Sequence, residues 1–451
     1  MFAIRNRLSE NPLSSSSQQP RAMHQSHSAP SFARPLIASL ALAFAVALAH
    51  AAPVADVHTL AQQEQQPLLD TLRDLVQIES GSKDIEGLNR IAERVASQLK
   101  QLGGAVEVLQ PTDIYRLDDT PEKVGPAVRA VFKGTGSRKI MLIAHMDTVY
   151  LKGMLKDQPF RIDGDKAYGL GIADDKQGIA TILHTVALLR KLNFSEYATL
   201  TVLINGDEEI SSPGWRSTIT RLASEQDAVF SFESGGIDGT LRLATSGIGS
   251  AYLTVHGKAS HAGSRPEGGV NALYELSHQV LQMKDLSKPE QGLKLNWTVA
   301  TAGTNRNVIP AEAAAQADAR ALKVADFEEL EKALHEKIKN RLLPDAKVDL
   351  KFELRRPPLE PSEASRSVAD HGKTIYGELG MVLNVAEKAT GGGTDAAFAA
   401  LKAKGAVVEG MGLSGFGAHS NDAEYVKIDS IVPRLYLTTR LIVDLSTGKL
   451  K

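Results

Sequence analysis

The chain has 451 residues, 43% of them apolar and 23% charged, with 51 Lys and Arg against 53 Asp and Glu. This is the composition of a soluble globular protein with room for two or three domains, which excludes a disordered chain or a membrane-embedded bulk. No basic tract or aromatic-basic stripe marks a nucleic-acid partner, and with no cysteine the chain neither needs nor can form a disulfide.

Residues 1–51 read differently. Arg5, Arg7, Arg21 and Arg34, with only Glu10 acidic, precede an apolar run over 36–49 and then Ala49-His50-Ala51. That is the order of a secretory signal: basic region, short apolar region, small-x-small cleavage site. The run of about 14 residues falls short of the roughly 20 needed to span a bilayer. Cleavage after Ala51 and a periplasmic or secreted mature protein are therefore expected, with no membrane attachment afterwards. The long basic region leaves open whether synthesis starts at Met1 or Met23.

Segments 68–78 and 85–102 carry Leu, Ile and Val at helical spacing, so two amphipathic helices open the mature protein, the second stopped by Gly103-Gly104. Residues 105–109, 127–132 and 139–144 read as strands. The last is a continuous apolar run, Ile140-Met141-Leu142-Ile143-Ala144, as a sheet buried on both faces requires, and it stops at His145-Met146-Asp147-Thr148. A Gly-rich stretch, Gly169 to Lys176, leads into a helix running through Ile182, Val186 and Leu189. Asp174 lies in the turn before it, where an Asp is ordinarily a helix cap. Strand 200–204 ends in Asp207-Glu208-Glu209, and strand 228–232 in Glu233-Ser234-Gly235-Gly236. One acidic turn after a strand is ordinarily solvated. Three buried strands that deliver His145, Glu208 with Glu209, and Glu233 at their C-terminal ends instead mark the ligand-binding edge of an open α/β sheet.

From Gly247 the order becomes strand 251–255, helix 271–283, strands 293–300 and 313–322, helix 327–342 and strand 348–354. This is the β-α-β-β-α-β pattern of a compact ferredoxin-like unit. Ser246-Gly247 and Arg355-Arg356-Pro357-Pro358 are its crossing points. The expected organisation is one discontinuous α/β domain, 52–246 with 358–451, and a second domain, 247–357, inserted in it. The remainder holds a strand at 406–409, a Gly-rich loop over 410–421 that contains His419, and a closing helix over 433–445.

His145, Asp174, Glu209, Glu233 and His419 form a mixed nitrogen and oxygen donor set suited to zinc, with cobalt or manganese as substitutes. Five donors exceed the needs of one catalytic zinc; two ions about 3.5–4 Å apart, sharing a carboxylate, use them all and leave room for a bridging water. Asp147, two residues past His145, is placed to hold that imidazole's other nitrogen.

His145-Met146-Asp147-Thr148-Val149, Gly171-Ile172-Ala173-Asp174-Asp175-Lys176-Gln177-Gly178, Gly206-Asp207-Glu208-Glu209, Glu233-Ser234-Gly235 and His419 together resemble the di-zinc metallopeptidase family of glutamate carboxypeptidases, aminoacylases and succinyl-diaminopimelate desuccinylases. The likeness covers nearly all of the mature chain. It implies a catalytic domain built on a mixed, mainly parallel sheet and an inserted lid or dimerisation domain. It also implies two Zn2+ per chain: His145 and Glu233 on one, Glu209 and His419 on the other, Asp174 bridging, and Glu208 as general base. His261, in Gly257-Lys258-Ala259-Ser260-His261-Ala262-Gly263, matches a histidine that reaches the active site, commonly from the partner of a homodimer, to stabilise the oxyanion. Asn307, Arg320 and Arg356 match the substrate clamp, with Arg355 and Arg306 as competitors, and Gly393 and Thr394 match a substrate-facing Gly loop. Arginine's planar fork suits a C-terminal carboxylate. The resemblance thus implies hydrolysis of an amide bond before a C-terminal amino acid, glutamate foremost, on a small peptide or N-acyl amino acid. An N-acyl-amino-acid amidohydrolase or dipeptidase on the same scaffold is the alternative. A solute-binding protein with a dead hydrolase fold is the rival of another class, and the presence of every expected donor together with Glu208 counts against it.

Overall fold

The computed structural model describes residues 52–420 and 424–450. The 1–51 segment, the expected cleavage after Ala51 and residues 421–423 lie outside the described residues.

Six strands form the principal sheet, in the order Ala105–Leu109, Ala127–Lys133, Thr199–Asn205, Lys139–His145, Ala228–Ser231, Ala406–Val408. The last four are mutually parallel, and Ala127–Lys133 runs against both of its neighbours. This is the mixed, mainly parallel sheet expected. Along Lys139–His145, Ile140, Leu142 and Ala144 join one apolar cluster while Met141 and Ile143 join another. That two-residue alternation between two dry layers is what the continuous apolar run encodes. At roughly 1.5–3 kcal/mol for each large aliphatic side chain fully buried, the strand anchors the sheet, and an Asp at Ile143 would leave a charge between the layers. His145 lies opposite Asn205, and Ile143 opposite Ser231. The parallel strands therefore bring the turns after them to one edge.

Helices cover both faces. In Ile85–Gln101, Leu88, Ile91, Ala92, Val95 and Leu99 make one buried stripe. Asp84 caps it, accepting from Gly87 N at 3.1 Å, a contact worth about 1 kcal/mol. Three helices rather than two open the described chain, because Ala55–Gln63 precedes Gln65–Val76. It buries only Val57 and Ala61, too few apolar contacts to show as periodicity. Ile431–Ser446 closes the chain. No helix of the described residues is long and apolar enough to cross a membrane.

A second, four-stranded antiparallel sheet has the order Lys294–Ala302, Glu312–Ala321, Gly247–His256, Lys347–Arg356. With helices Ala272–Met283 and Val324–Lys337 it has the ferredoxin-like topology read from the pattern. Gly247–His256 alternates strictly between buried and half-exposed residues. Its buried face packs under the helices, and its other face carries Ile248, Ser250 and Tyr252, opposite Arg320, Asp318 and Gln316 of the neighbouring strand. Where the chain crosses between the sheets, Thr245 and Leu359 exchange backbone hydrogen bonds of 3.2 Å.

Candidate active site

His145, Glu209 and Glu233 end or follow strands of the principal sheet at its C-terminal edge, whereas Asp174 and His419 lie in loops after strands Lys166–Tyr168 and Gly415–Phe416 of a smaller antiparallel sheet. His145 ends its strand and is 2% exposed. Its Nε2 lies 3.0 Å from Asp174 Oδ1 and 3.3 Å from Glu233 Oε1. His419 Nε2 lies 3.2 Å from both Asp174 Oδ2 and Glu209 Oε2. Asp174 thus turns one oxygen to each imidazole, and the five side chains fall into two groups that share it. Asp174 and Asp175 have non-helical backbone angles ahead of helix Gln177–Lys191. Asp175 serves that helix start, accepting from Gly178 N at 3.2 Å and Gln177 Nε2 at 2.7 Å. Its neighbour Asp174 is thereby left for the site. Asp175 also comes near His145 and Glu233, but its oxygens are committed to these donors and to the His145 amide.

The donor set fits a metal pair. Donors about 2.0–2.1 Å from a tetrahedral zinc lie roughly 3.3 Å apart, and the four contacts above span 3.0–3.3 Å. Glu209 Oε1 is buried without a hydrogen-bond partner among the described residues. Burial, with Asp174 beside it, pushes the Glu209 carboxyl up to about 8, whereas hydrogen bonds to Asp174 and Glu209 hold the His419 imidazole up to about 11. For His145, burial opposes protonation, but Glu233, Asp147 and Asp174 outweigh it and the shift is upward. The carboxylates draw positive charge onto both inward-facing ring nitrogens, where a metal ion exchanges with a proton.

Glu208 is 7% exposed. Burial pushes its carboxyl well up, with Arg356 opposing. Arg356 Nη1 comes within 2.9 Å of Glu208 Oε1 but off the hydrogen-bonding direction, so that oxygen lacks a donor. Asp147 is fully buried and accepts from Glu208 N at 2.9 Å, Glu209 N at 3.1 Å and Ser82 Oγ at 2.8 Å. As expected, its carboxylate also faces His145, whose Nδ1 lies 3.4 Å from Oδ1. The Asp147 backbone carbonyl is nearer to Nδ1, at 3.0 Å. The carboxylate also fixes the turn that carries both glutamates.

A cavity of about 800 Å³ opens over these groups. Asp174, Glu208, Glu209, Glu233 and His419 line one side, and Ile248, Ser250, Tyr252, Gln316, Asp318 and Arg320 of the second sheet line the other. Of the expected substrate residues, Arg320, Arg356, Gly393 and Thr394 line it too, but the two arginines are already engaged. Arg356 donates to Asp395 Oδ1 at 2.8 Å and to the Glu208 carbonyl at 2.7 Å. Arg320 forks onto Asp318 and donates to the Gly391 carbonyl at 3.0 Å. Gly393 is needed because a Cβ there would sit 2.8 Å from the Ser246 carbonyl oxygen. His261 and Asn307 are exposed, adjoin each other through an Ala262 N to Asn307 O bond of 2.9 Å, and are not among the cavity's described lining.

Sequence reasoning missed Glu424. Buried, it accepts from Gly171 N at 3.1 Å, Ala173 N at 2.7 Å, Asp174 N at 3.1 Å and Tyr150 Oη at 2.5 Å, and Tyr150 Oη also bonds the Ser420 carbonyl at 3.0 Å. This one carboxylate ties the Asp174 turn to the loop bearing His419. The only signal was an acid just ahead of strand Tyr425–Lys427, indistinguishable in sequence from the nearby Asp422.

Imidazoles and carboxylates paired at the C-terminal edge of an α/β sheet, facing a wide polar cavity, define a metal-dependent hydrolase. Residues 141–444 match the model of peptidase family M20/M25/M40. The chain is 44% identical over 424 residues to carboxypeptidase G2 of Pseudomonas sp. (strain RS-16), covering 93% of this chain and all of that one. It is 28% identical over 225 residues to a putative succinyl-diaminopimelate desuccinylase of Mycobacterium tuberculosis, covering 46% of this chain and 55% of that one. In fold it matches a tripeptidase from Staphylococcus aureus (TM-score 0.70, 20% identity, 85% of this chain and 99% of that one). It also matches an M20 family metallo-carboxypeptidase from Sulfolobus solfataricus (TM-score 0.66, 18% identity, 83% and 98%). The chain belongs to the M20/M25/M40 peptidase family.

Proposed function

We propose that the protein is an exported di-zinc carboxypeptidase that hydrolyses the amide bond before a C-terminal glutamate. The observation that carries this is the two-group donor set joined by Asp174, in a chain alignable with carboxypeptidase G2 over that protein's whole length. A shorter match, 38% identical over 79 residues, to a homolog of p-aminobenzoyl-glutamate hydrolase in Haemophilus influenzae points to the same leaving group.

His145 and Glu233 would hold one zinc, Glu209 and His419 the other, and Asp174 both. Bound there, the ions supply Lewis acidity toward the amide carbonyl and a water acidified to near neutrality. Glu208 takes the proton from the attacking water and delivers it to the departing amine nitrogen. It faces the cavity and carries one oxygen free of any donor. Arg356 holds the Glu208 backbone and side chain in place, and Asp147 holds the amides of Glu208 and Glu209. Arg320, on the opposite wall, meets the substrate's C-terminal carboxylate by exchanging its bonds to Asp318. His261 and Asn307 would complete the site from the second protomer of a homodimer, since both are exposed and apart from this chain's own cavity.

The test is a substrate panel on the zinc-loaded mature chain. The proposal expects free glutamate from N-acyl and N-aminobenzoyl glutamates in preference to release from N-acetyl aliphatic amino acids or unblocked dipeptides. Preference for either of the latter would move the protein to the amidohydrolase or dipeptidase reading.

A further inference from the structure

Four arginines line the catalytic cavity, and three of them already face carboxylates. Arg320 lies 2.9 Å from Asp318, Arg355 2.8 Å from Asp119 and Arg356 2.8 Å from Asp395. Arg242 pairs with no carboxylate among the described residues. It is partly exposed, and its Nη1 donates to the Ser234 carbonyl at 2.8 Å.

The backbone that carries it is fixed. Arg242 N donates to the Glu409 carbonyl at 2.8 Å, Glu409 N to the Arg242 carbonyl at 3.0 Å, and Leu243 N to the Ala386 carbonyl at 2.8 Å. The Glu409 carboxylate is committed elsewhere, accepting from Thr394 Oγ1 at 2.9 Å and Gly410 N at 2.6 Å. The guanidinium lies close to the donor set, because Ser234 follows Glu233 and a Cβ on Gly236, itself in the cavity wall, would sit 3.3 Å from Nη2. Segment 391–394 runs from Arg320, which donates to the Gly391 carbonyl, to Thr394, which donates to the Glu409 paired with Arg242. Three peptide units span at most about 11 Å. Arg320 and Arg242 therefore border one stretch of the wall. Asp174, Glu208, Glu209, Glu233 and Asp318 line the same cavity, so a substrate with a second negative charge is repelled there unless a cation not already paired meets it.

We propose that Arg242 binds the side-chain carboxylate of the substrate's C-terminal glutamate, while Arg320 meets the α-carboxylate, and so sets the preference for glutamate over neutral side chains. This assignment rests on the glutamate-releasing function proposed above. The planar guanidinium offers a carboxylate two parallel N–H bonds, which a neutral amide of the same shape cannot match.

The test compares N-acyl glutamate with N-acyl glutamine, which keeps the shape and loses the charge. In the wild-type enzyme kcat/KM should favour glutamate by about 100-fold, the scale of a charge-assisted hydrogen-bond pair. Arg242→Met should bring that ratio near one with zinc content unchanged, and Arg242→Lys should restore part of it. A ratio that survives Arg242→Met overturns the proposal, even if both rates fall together, since a role confined to the Ser234 carbonyl would lower both. If Arg242→Met fails to fold, the zinc-loaded wild-type enzyme crystallised with product glutamate decides. A side-chain carboxylate within about 3 Å of the Arg242 guanidinium supports the proposal, and one that meets Arg320 or only solvent overturns it. Failure of the glutamate-releasing function is seen separately and earlier: the wild-type enzyme would itself show no preference for glutamate, which overturns both.

Discussion

The two sheets treat their polar residues in opposite ways. At the C-terminal edge of the principal sheet, His145, Asp147, Glu208 and Glu424 are each under 9% exposed and tied into adjacent turns by two or more contacts. On the second sheet, Arg320 is partly exposed and held by neighbours that a substrate could replace, and His261 and Asn307 face outward. The first arrangement is preorganised for charge and fixed by one chain. The second is held by contacts that a ligand could exchange. On the proposed function, metal chemistry and substrate choice are thus separated along the sequence as well as in space.

The contrast is broken most severely by Asp174→Ala, which removes the oxygens shared by both imidazoles. Zinc content should fall below one per chain, with turnover lost by more than about a thousandfold, as metal analysis and rates together would reveal. Retention of both ions would contradict the bridging role. Glu208→Ala should keep the zinc and the fold while losing about 10²–10⁴ in kcat, and a near-normal rate would remove Glu208 from proton transfer. On the second sheet, His261→Ala should lower kcat about a hundredfold with zinc unchanged. Mixing it with a Glu208→Ala chain should restore some activity if one protomer's histidine serves the other's metals. No recovery in exchanged heterodimers would place His261 outside the site.

Much of the catalytic edge was legible because its signals are local. An apolar run that ends in His or Glu reports both burial and exposure to the edge, and Gly171 and Gly235 mark the turns. The second sheet's topology was legible from its element order for the same reason. What escaped depends on long-range packing. Glu424 meets the Asp174 turn across 250 residues, and Asp395 meets Asn205 across 190 and Arg356 across 39. No spacing in the chain reports such contacts. Arg356, expected from the resemblance to clamp substrate, lines the cavity, and its bonds to Asp395 and the Glu208 carbonyl are what the sequence does not report. Asp147 lies beside His145 as expected, and its carboxylate also accepts from the Glu208 and Glu209 amides, which no spacing reports.

A smaller effect sharpens the role found for Glu424. Glu424→Gln keeps the shape but weakens an acceptor serving three backbone amides, and should reduce zinc affinity about 10–100-fold with the fold intact. Chelator competition would measure it, and unchanged affinity would make Glu424 merely structural. The gentlest probe is pH. In the metal-free protein the His419 proton is held up to about 11 and that of Glu209 up to about 8, chiefly by hydrogen bonds to Asp174 and Glu209 in the first case and by burial in the second. Both protons must leave when metal binds, so zinc affinity should rise with pH from 6 to 8, by up to about tenfold per unit for each proton displaced. A flat profile would contradict this linkage.

The central claim, one catalytic centre needing two metals, is tested most directly by titrating zinc into the metal-free mature chain while following glutamate release from an N-acyl glutamate. The account predicts that turnover rises to a plateau at two zinc per chain and that a chelator abolishes it. Full turnover at one zinc, or turnover unaffected by chelation, would contradict it.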